Sequence, residues 1–256
     1  MTLRLRSILA AAAATLLVAA APAGFYARQA QPIWHRIAGA PTGLRLEAPD
    51  RQTHVLARYT ETENTDGEVT LRVRGKLGTG TVSLGAGVNS ELLWAPDSRA
   101  FAVTTSDGGA IGLYRAIVVA AGRNGLQVTD LSPLIRSAFG HPVKCGWRED
   151  PNVAVVQWQG GSQKVILAAE IMPHSNCDSF GTFKAYEVDW RARRITRTFD
   201  QIEAKRLFGR SMGIELRNAP NECIRSPRRC WVSTNHEPDP SAKPSETTAT
   251  RRRPRP

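Results

Sequence analysis

The 256-residue chain contains no His-Glu-x-x-His pair and no Cys-x-x-Cys-His. Those absences exclude the helical zinc-protease site and covalent haem attachment. Its five histidines, at 35, 54, 141, 174 and 236, are scattered; His54 falls in a strand pattern and reads as a structural residue. Gly78-Thr79-Gly80 and Gly85-Ala86-Gly87 lack the third glycine and the following helix of a phosphate-binding loop, so they read as strand turns or bulges. Aromatic residues make up only 7%. The six tryptophans among them read as core residues, with Trp158 and Trp190 at strand ends, where an indole packs while its N–H finds a partner.

What is present begins with an address. Arg4 and Arg6 precede a weakly apolar run, Ile8 to Ala21, broken only by Thr15. Ala21-Pro22-Ala23 then supplies the small-x-small pattern of a secretory cleavage site, so residues 1–23 read as a signal peptide. The alternative is an uncleaved membrane anchor reaching about Tyr26, with the arginines on the cytoplasmic side. Either way the remainder is expected to be exported, periplasmic or anchored in the inner membrane and facing the periplasm. Loss of residues 1–23 takes away two arginines and no acids, lowering the net charge from +11 to +9. Five basic and three acidic residues from Asn235 onward leave +7 on the folded part. Export excludes nucleic acid as the partner of this basic surface. Anionic lipid headgroups, cell-wall polymers or acidic proteins are the expected partners.

The cysteines are even in number, at 145, 177, 223 and 230. In an oxidising compartment they predict bridges Cys145–Cys177 and Cys223–Cys230, the second closing a six-residue basic loop. The competing arrangement is a zinc site of His141, Cys145, His174 and Cys177, whose spacings suit that metal. No other cofactor is expected.

From Leu44 onward apolar alternation and turn signals predict a mainly β domain. Leu92 and Trp94 alternate before the Pro96-Asp97-Ser98 turn, and Phe101 and Val103 alternate after it. A weak repeat accompanies this. Pro49-Asp50 precedes Pro96-Asp97 by 47 residues, and Trp147-Arg148-Glu149-Asp150 follows Trp94-Ala95-Pro96-Asp97 by 53. Asp66-Gly67, Asp107-Gly108-Gly109 and Gly160-Gly161 mark hairpin turns. The run Trp94-Ala95-Pro96-Asp97-Ser98 resembles the Trp-x-Pro-Asp-Ser blade signature of Tol-type periplasmic β-propellers, relatives of the WD-type propellers. The resemblance covers about one tenth of the chain. It implies an antiparallel meander resembling part of a β-propeller, because three repeats are too few for closure; a β-sandwich is the alternative. The expected division is a linker over 24–43, a β-rich domain over 44–234 and a disordered basic tail over 235–256.

Two short helices are expected within the domain. Ser132-Pro133 reads as an N-cap followed by a first-turn proline, and Asp200 with Glu203 as a capping pair for a helix ending at Gly209. Gly209-Arg210-Ser211-Met212-Gly213 matches the G-x-S-x-G elbow of serine hydrolases and makes Ser211 a candidate nucleophile. Its surroundings read in the wrong order, helix before and strand-like Ile214-Glu215-Leu216 after. The acidic stretch Glu61 to Glu68 fails as an EF-hand, because Thr62 and Val73 stand where its first and last ligands belong. It reads as a hairpin tip. The residues thus predict an exported, propeller-like, non-catalytic interaction module of the cell envelope. The alternative is an envelope hydrolase or metal-dependent enzyme built on Ser211 or the His/Cys set.

Overall fold

The computed structural model describes residues 24–33, 43–62, 65–106, 113–139, 150–171 and 181–220. Three antiparallel sheets follow one another along the chain. The first is β2 (Leu44–Glu47), β3 (Thr53–Thr62), β4 (Thr65–Gly75) and β5 (Gly80–Ser83), in that spatial order. The second is β6 (Val88–Trp94), β7 (Ala100–Ser106), β8 (Tyr114–Gly122) and β9 (Gly125–Asp130), with the two-residue β1 (Gln31–Pro32) added along the edge of β6. The third is β10 (Asn152–Gln159), β11 (Lys164–Glu170), β12 (Phe183–Asp189) and β13 (Arg194–Phe199). Helices α1 (Ser132–Phe139), α2 (Gln201–Phe208) and α3 (Ile214–Asn218) complete the described elements. The protein is mainly β, an antiparallel meander as expected, and no closed or propeller sheet forms among the described residues.

Alternation along the strands decides the layering, because neighbouring side chains leave a strand on opposite faces. Leu44 and Leu46, Val55 and Ala57, and Val69, Leu71 and Val73 turn inward from the first sheet and meet Leu92, Trp94, Phe101 and Val103 of the second. The other face of the second sheet, with Leu93, Ala100, Ala102, Ala116 and Val118, meets Val153, Val155, Val165 and Leu167 of the third. Small alanines on one side and branched residues on the other allow close approach. Every residue of β7 is buried, as a strand covered on both faces must be. The outer face of the third sheet packs Phe183, Ala185 and Phe199 against Ala204, Phe208, Met212 and Leu216. The order of layers is therefore sheet, sheet, sheet, helices.

The internal repeat is real at atomic level. In Ala48-Pro49-Asp50-Arg51-Gln52-Thr53, Ala48 N–H donates to Thr53 O, Arg51 N–H to Ala48 O and Gln52 N–H to the Asp50 carboxylate. In Ala95-Pro96-Asp97-Ser98-Arg99-Ala100 the same three bonds recur at the matching positions, each within 3.0 Å. Arg51 and Ser98 both take the left-handed conformation, at φ 58 and 59. The third unit is displaced from its expected place. β10 opens the third sheet, so the counterpart of these turns is the β10–β11 turn at Gly160-Gly161, and the counterpart of Trp94 is Trp158. Trp147 lies outside the described residues.

The turns also bond to one another. Asp50 N–H donates to Ser98 Oγ at 3.0 Å, and Ser162 N–H and Oγ both donate to Asp97 Oδ2 at 2.9 Å. Ser162 O in turn accepts the Trp190 indole N–H at 2.8 Å. Trp158 Nε1 donates to Leu93 O at 3.1 Å, so both strand-end indoles find the partners expected of them. A Cβ at Gly161, where φ is +69, would sit 2.7 Å from Asp97 Oδ2, so glycine is required there for both conformation and space.

The helices differ in detail from expectation. Asp200 caps α2 through a 2.7 Å bond from Glu203 N–H, and Gly209 ends it. Ser132 instead turns its hydroxyl to the second sheet, accepting from Ala116 N–H at 2.8 Å, while the Asp130 carboxylate takes the Ser132 N–H. Ile214-Glu215-Leu216 forms helix α3, where a strand was expected. Its Leu216 is drawn inward onto the third sheet's outer face, and tertiary burial overrides the weak local pattern. Among the described residues no helix is long and apolar enough to cross a membrane. Since the Asp97 carboxylate accepts one bond within its own turn and two from Ser162 that tie turn to turn, Asp97→Ala is expected to lower stability by about 1–3 kcal/mol. Asp50→Ala, which loses a bond within its own turn, should cost less; urea denaturation of the two variants measures the difference.

Candidate functional site

Residues 24–33 are not a linker. They form a strap in which Tyr26, Ala27, Ala30 and Ile33 are buried. Ala27 and Ala30 pack in the core between the second and third sheets, and Tyr26 in the core between the third sheet and the helices. Ile33 packs on the domain and donates its N–H to Ser90 O at 2.8 Å. Three successive backbone N–H groups, of Phe25, Tyr26 and Ala27, converge on the carboxylate of Glu91 at 2.7 to 3.3 Å. Arg28 N–H donates to Ser211 O, Gly213 N–H to Tyr26 O and Glu215 N–H to Phe25 O. The strap thereby joins the second sheet to the segment between α2 and α3.

This explains the glycines of the G-x-S-x-G match. A Cβ at Gly213 would meet Phe25 O at 2.1 Å, and one at Gly209 would meet Lys205 O at 2.4 Å. One glycine lets the strap pass and the other closes a helix. Ser211 lies in the turn between, with its N–H on Phe208 O. Its segment connects helix to helix, not strand to helix, and the sole histidine among the described residues is His54, on β3 of the first sheet. The elbow geometry that exposes a nucleophile is absent there. Cys145, Cys177, Cys223, Cys230, His141 and His174 lie outside the described residues, as does the 235–256 tail. Around the acidic stretch, Thr62 at the end of β3 stands opposite Thr65 at the start of β4; residues 63 and 64 between them lie outside the described residues. No group of three His, Cys, Asp or Glu residues that could hold a metal occurs among the described residues.

Beneath the strap lies a cluster of acids and tyrosines. Tyr26 Oη donates to Glu170 Oε2 at 3.1 Å and accepts from Asn152 Nδ2 at 3.3 Å, while Asn152 Oδ1 takes the Tyr114 N–H. The rings of Phe25 and Tyr114 stand edge-on to Tyr26 at 5.0 and 4.9 Å. Burial pushes Glu170 well above the ordinary carboxyl range, and the nearby charge of Glu215 adds to it. Glu170 Oε1 receives no donor, yet the Glu215 carboxyl is its hydrogen-bond partner. Burial likewise raises Tyr26 and Tyr114. Burial raises Glu91 to about 7, although three backbone N–H bonds pull the other way. Glu91, Glu170 and Tyr26 are 4%, 1% and 1% exposed, so the cluster's described role is to hold the strap.

The other candidate is a surface. The outward positions of the first sheet carry Arg45 on β2, Arg58 on β3 and Arg72 and Arg74 on β4, all exposed. Register places Arg45, Leu56 and Arg72 in one row across the strands and His54 beside Arg74 in the next. Glu47 and Glu68 share that face. Glu47 pairs with Arg45 at 3.2 Å, and Glu68 accepts the Ser83 hydroxyl. This face has no covering layer among the described residues, unlike the faces of the second sheet. Comparison with protein-family models, curated proteins and solved structures finds no match to this chain.

Strand alternation is the signal that marks the arginine-rich face: Arg72 and Arg74 stand two apart on β4, and Arg45 and Arg58 occupy the outward positions of β2 and β3. Nothing in the sequence pointed to Glu91 or Glu170, each a lone acid in an apolar strand. For Glu91 the linkage has a definite sign. The folded pKa lies above the ordinary value of 4.5, so the protonated group stabilises the fold below about 4.5 and that contribution is lost as pH rises through about 7. In a chain continuing upstream of Gly24, stability is expected to fall between about pH 5 and about pH 8 by at most about 3 kcal/mol from this group. Tyr26, Tyr114, Glu170 and Glu215 surround it and remain in the variant. Glu91→Gln should flatten that part of the urea-denaturation profile, and an unchanged slope would assign it elsewhere.

Proposed function

We propose that the protein is an exported, non-catalytic interaction module whose uncovered basic sheet face docks on an anionic surface of the cell envelope. The observation that carries this reading is the outer face of the first sheet, with its exposed Arg45, Arg58, Arg72 and Arg74. A guanidinium offers a planar fork of donors that suits phosphate oxygens. The rigid strands hold four of them in fixed rows. Leu56, half-buried between Arg45 and Arg72, gives the face an apolar centre. The overall excess of positive charge, +11 over the full chain, favours the same partner. The three-sheet antiparallel meander serves as the platform, and the export pattern at the N-terminus supports an envelope setting.

Each basic side chain near an anionic leaflet contributes about 1 kcal/mol, and salt screens that attraction. Reversing three arginines together, Arg58→Glu, Arg72→Glu and Arg74→Glu, is therefore expected to weaken sedimentation with phosphatidylglycerol vesicles more than about tenfold. The melting temperature should stay near that of the unaltered protein, because all three point to solvent. Vesicle binding that survives the triple reversal, or that ignores added salt, would overturn the reading.

A further inference from the structure

Among the described residues, Glu91 is a buried carboxylate held by backbone N–H groups alone, and no cation is among the groups that act on it. Burying an acid without a counter-charge is costly, and the ordinary remedy is a positive partner. A chain cut directly before Gly24 would supply one. Gly24 follows Ala21-Pro22-Ala23 directly, and a Cβ built on Gly24 falls 2.6 Å from Glu91 Oε2 and 2.2 Å from Ala27 O. Any side chain at this position would collide with the carboxylate. A terminal nitrogen would meet it favourably. The nitrogen of Gly24 is bonded to the same Cα, so a partial rotation about the Cα–C bond, short of that over-close Cβ position, brings a free amino group within reach of both oxygens. Phe25 N–H, one residue on, already reaches Glu91 Oε2 at 2.7 Å.

We propose that the chain is cut between Ala23 and Gly24, and that the α-ammonium of Gly24 so released is the counter-charge of Glu91. The cut is a hydrolysis by an export peptidase. Water adds its hydroxyl to the Ala23 carbonyl carbon, the C–N bond breaks, and the Gly24 nitrogen takes the remaining proton and a further one from solvent. The new Ala23 carboxyl gives up its proton to solvent and leaves as a carboxylate. The ammonium then donates to Glu91 Oε2 and Ala27 O, which converts the strap from a neutral insertion into an ion pair. Maturation in this way locks the N-terminal strap between the second and third sheets. The titratable groups facing Glu91 are Tyr26 on the strap and Tyr114 on β8, with Glu170 on β11 and Glu215 on α3 behind them; all are acids, and none competes as a cation.

This inference rests on the export part of the proposed function, not on the basic face, and its test separates the two. Intact mass and N-terminal sequencing of the exported protein should give Gly24 as the first residue. Any other first residue overturns the proposal, whatever the vesicle result. The protein beginning at Gly24 is then compared with its α-N-acetylated form, both in the unaltered sequence and in the Glu91→Gln variant. Acetylation should lower the melting temperature of the unaltered protein and leave that of the variant unchanged. An equal fall in both, or none in either, overturns it. Should Glu91→Gln fail to fold, the α-amino group of the unaltered protein decides the matter. With labelled glycine its NMR titration should lie above the ordinary terminal range of about 7.7–8.0; a value within or below that range contradicts an ion pair.

Discussion

One carboxylate organises the open end of the molecule. Glu91 gathers three consecutive N–H groups of the strap, which otherwise would enter an apolar gap with their donors unpaired. An unpaired buried amide costs about 1–3 kcal/mol, so three of them would expel the segment. Because they are paired, Tyr26 reaches Glu170 and Asn152 on the third sheet, and Gly213 and Glu215 bond back to the strap from α3 and the residue before it. The second sheet, the third sheet and the helical layer are thereby tied by the same short segment.

The opposite end is held by a different device. There the turns of the three sheets bond in series, from Asp50 through Ser98, then Asp97 through Ser162 to Trp190. Between the two ends, apolar faces pack sheet on sheet without polar links except a few, such as Thr104 Oγ1 accepting from Val155 N–H at 2.9 Å. Pinning at both ends fixes the relative setting of layers that hydrophobic packing alone would leave free to slide. It also leaves the first sheet's outer face unburdened by structural duty, which is where exposed arginines accumulate.

How much of this is legible in the sequence follows from the range of each interaction. The Ala-Pro-Asp turns are readable because their bonds are local: Asp50 and Asp97 each serve a residue two places on. Strand faces are readable from alternation, as at Leu92 and Trp94. The α2 cap is readable because Asp200 and Glu203 are three residues apart. The third unit is harder to place because Trp147 imitates Trp94 in sequence while Trp158 replaces it in space, its turn having exchanged Pro-Asp for Gly-Gly. Helix α3 escapes the pattern because five residues carry too little periodicity. The strap looks like a linker because its partners, Glu91 and Glu170, stand 65 and 144 residues from Tyr26. Nothing local marks such an acid as buried, and Gly213, which admits the strap, reads instead as part of a hydrolase motif.

The grip of Glu91 on the strap is most directly tested by hydrogen exchange at Phe25, Tyr26 and Ala27. If the carboxylate holds those amides within the folded core, they exchange as slowly as the amides of β7, through global unfolding. Glu91→Gln then speeds all three while β7 stays protected. Rapid exchange of the three amides in the unaltered protein, at rates of a fraying terminus, would show that the strap is not part of the fold's cooperative unit and would contradict the account.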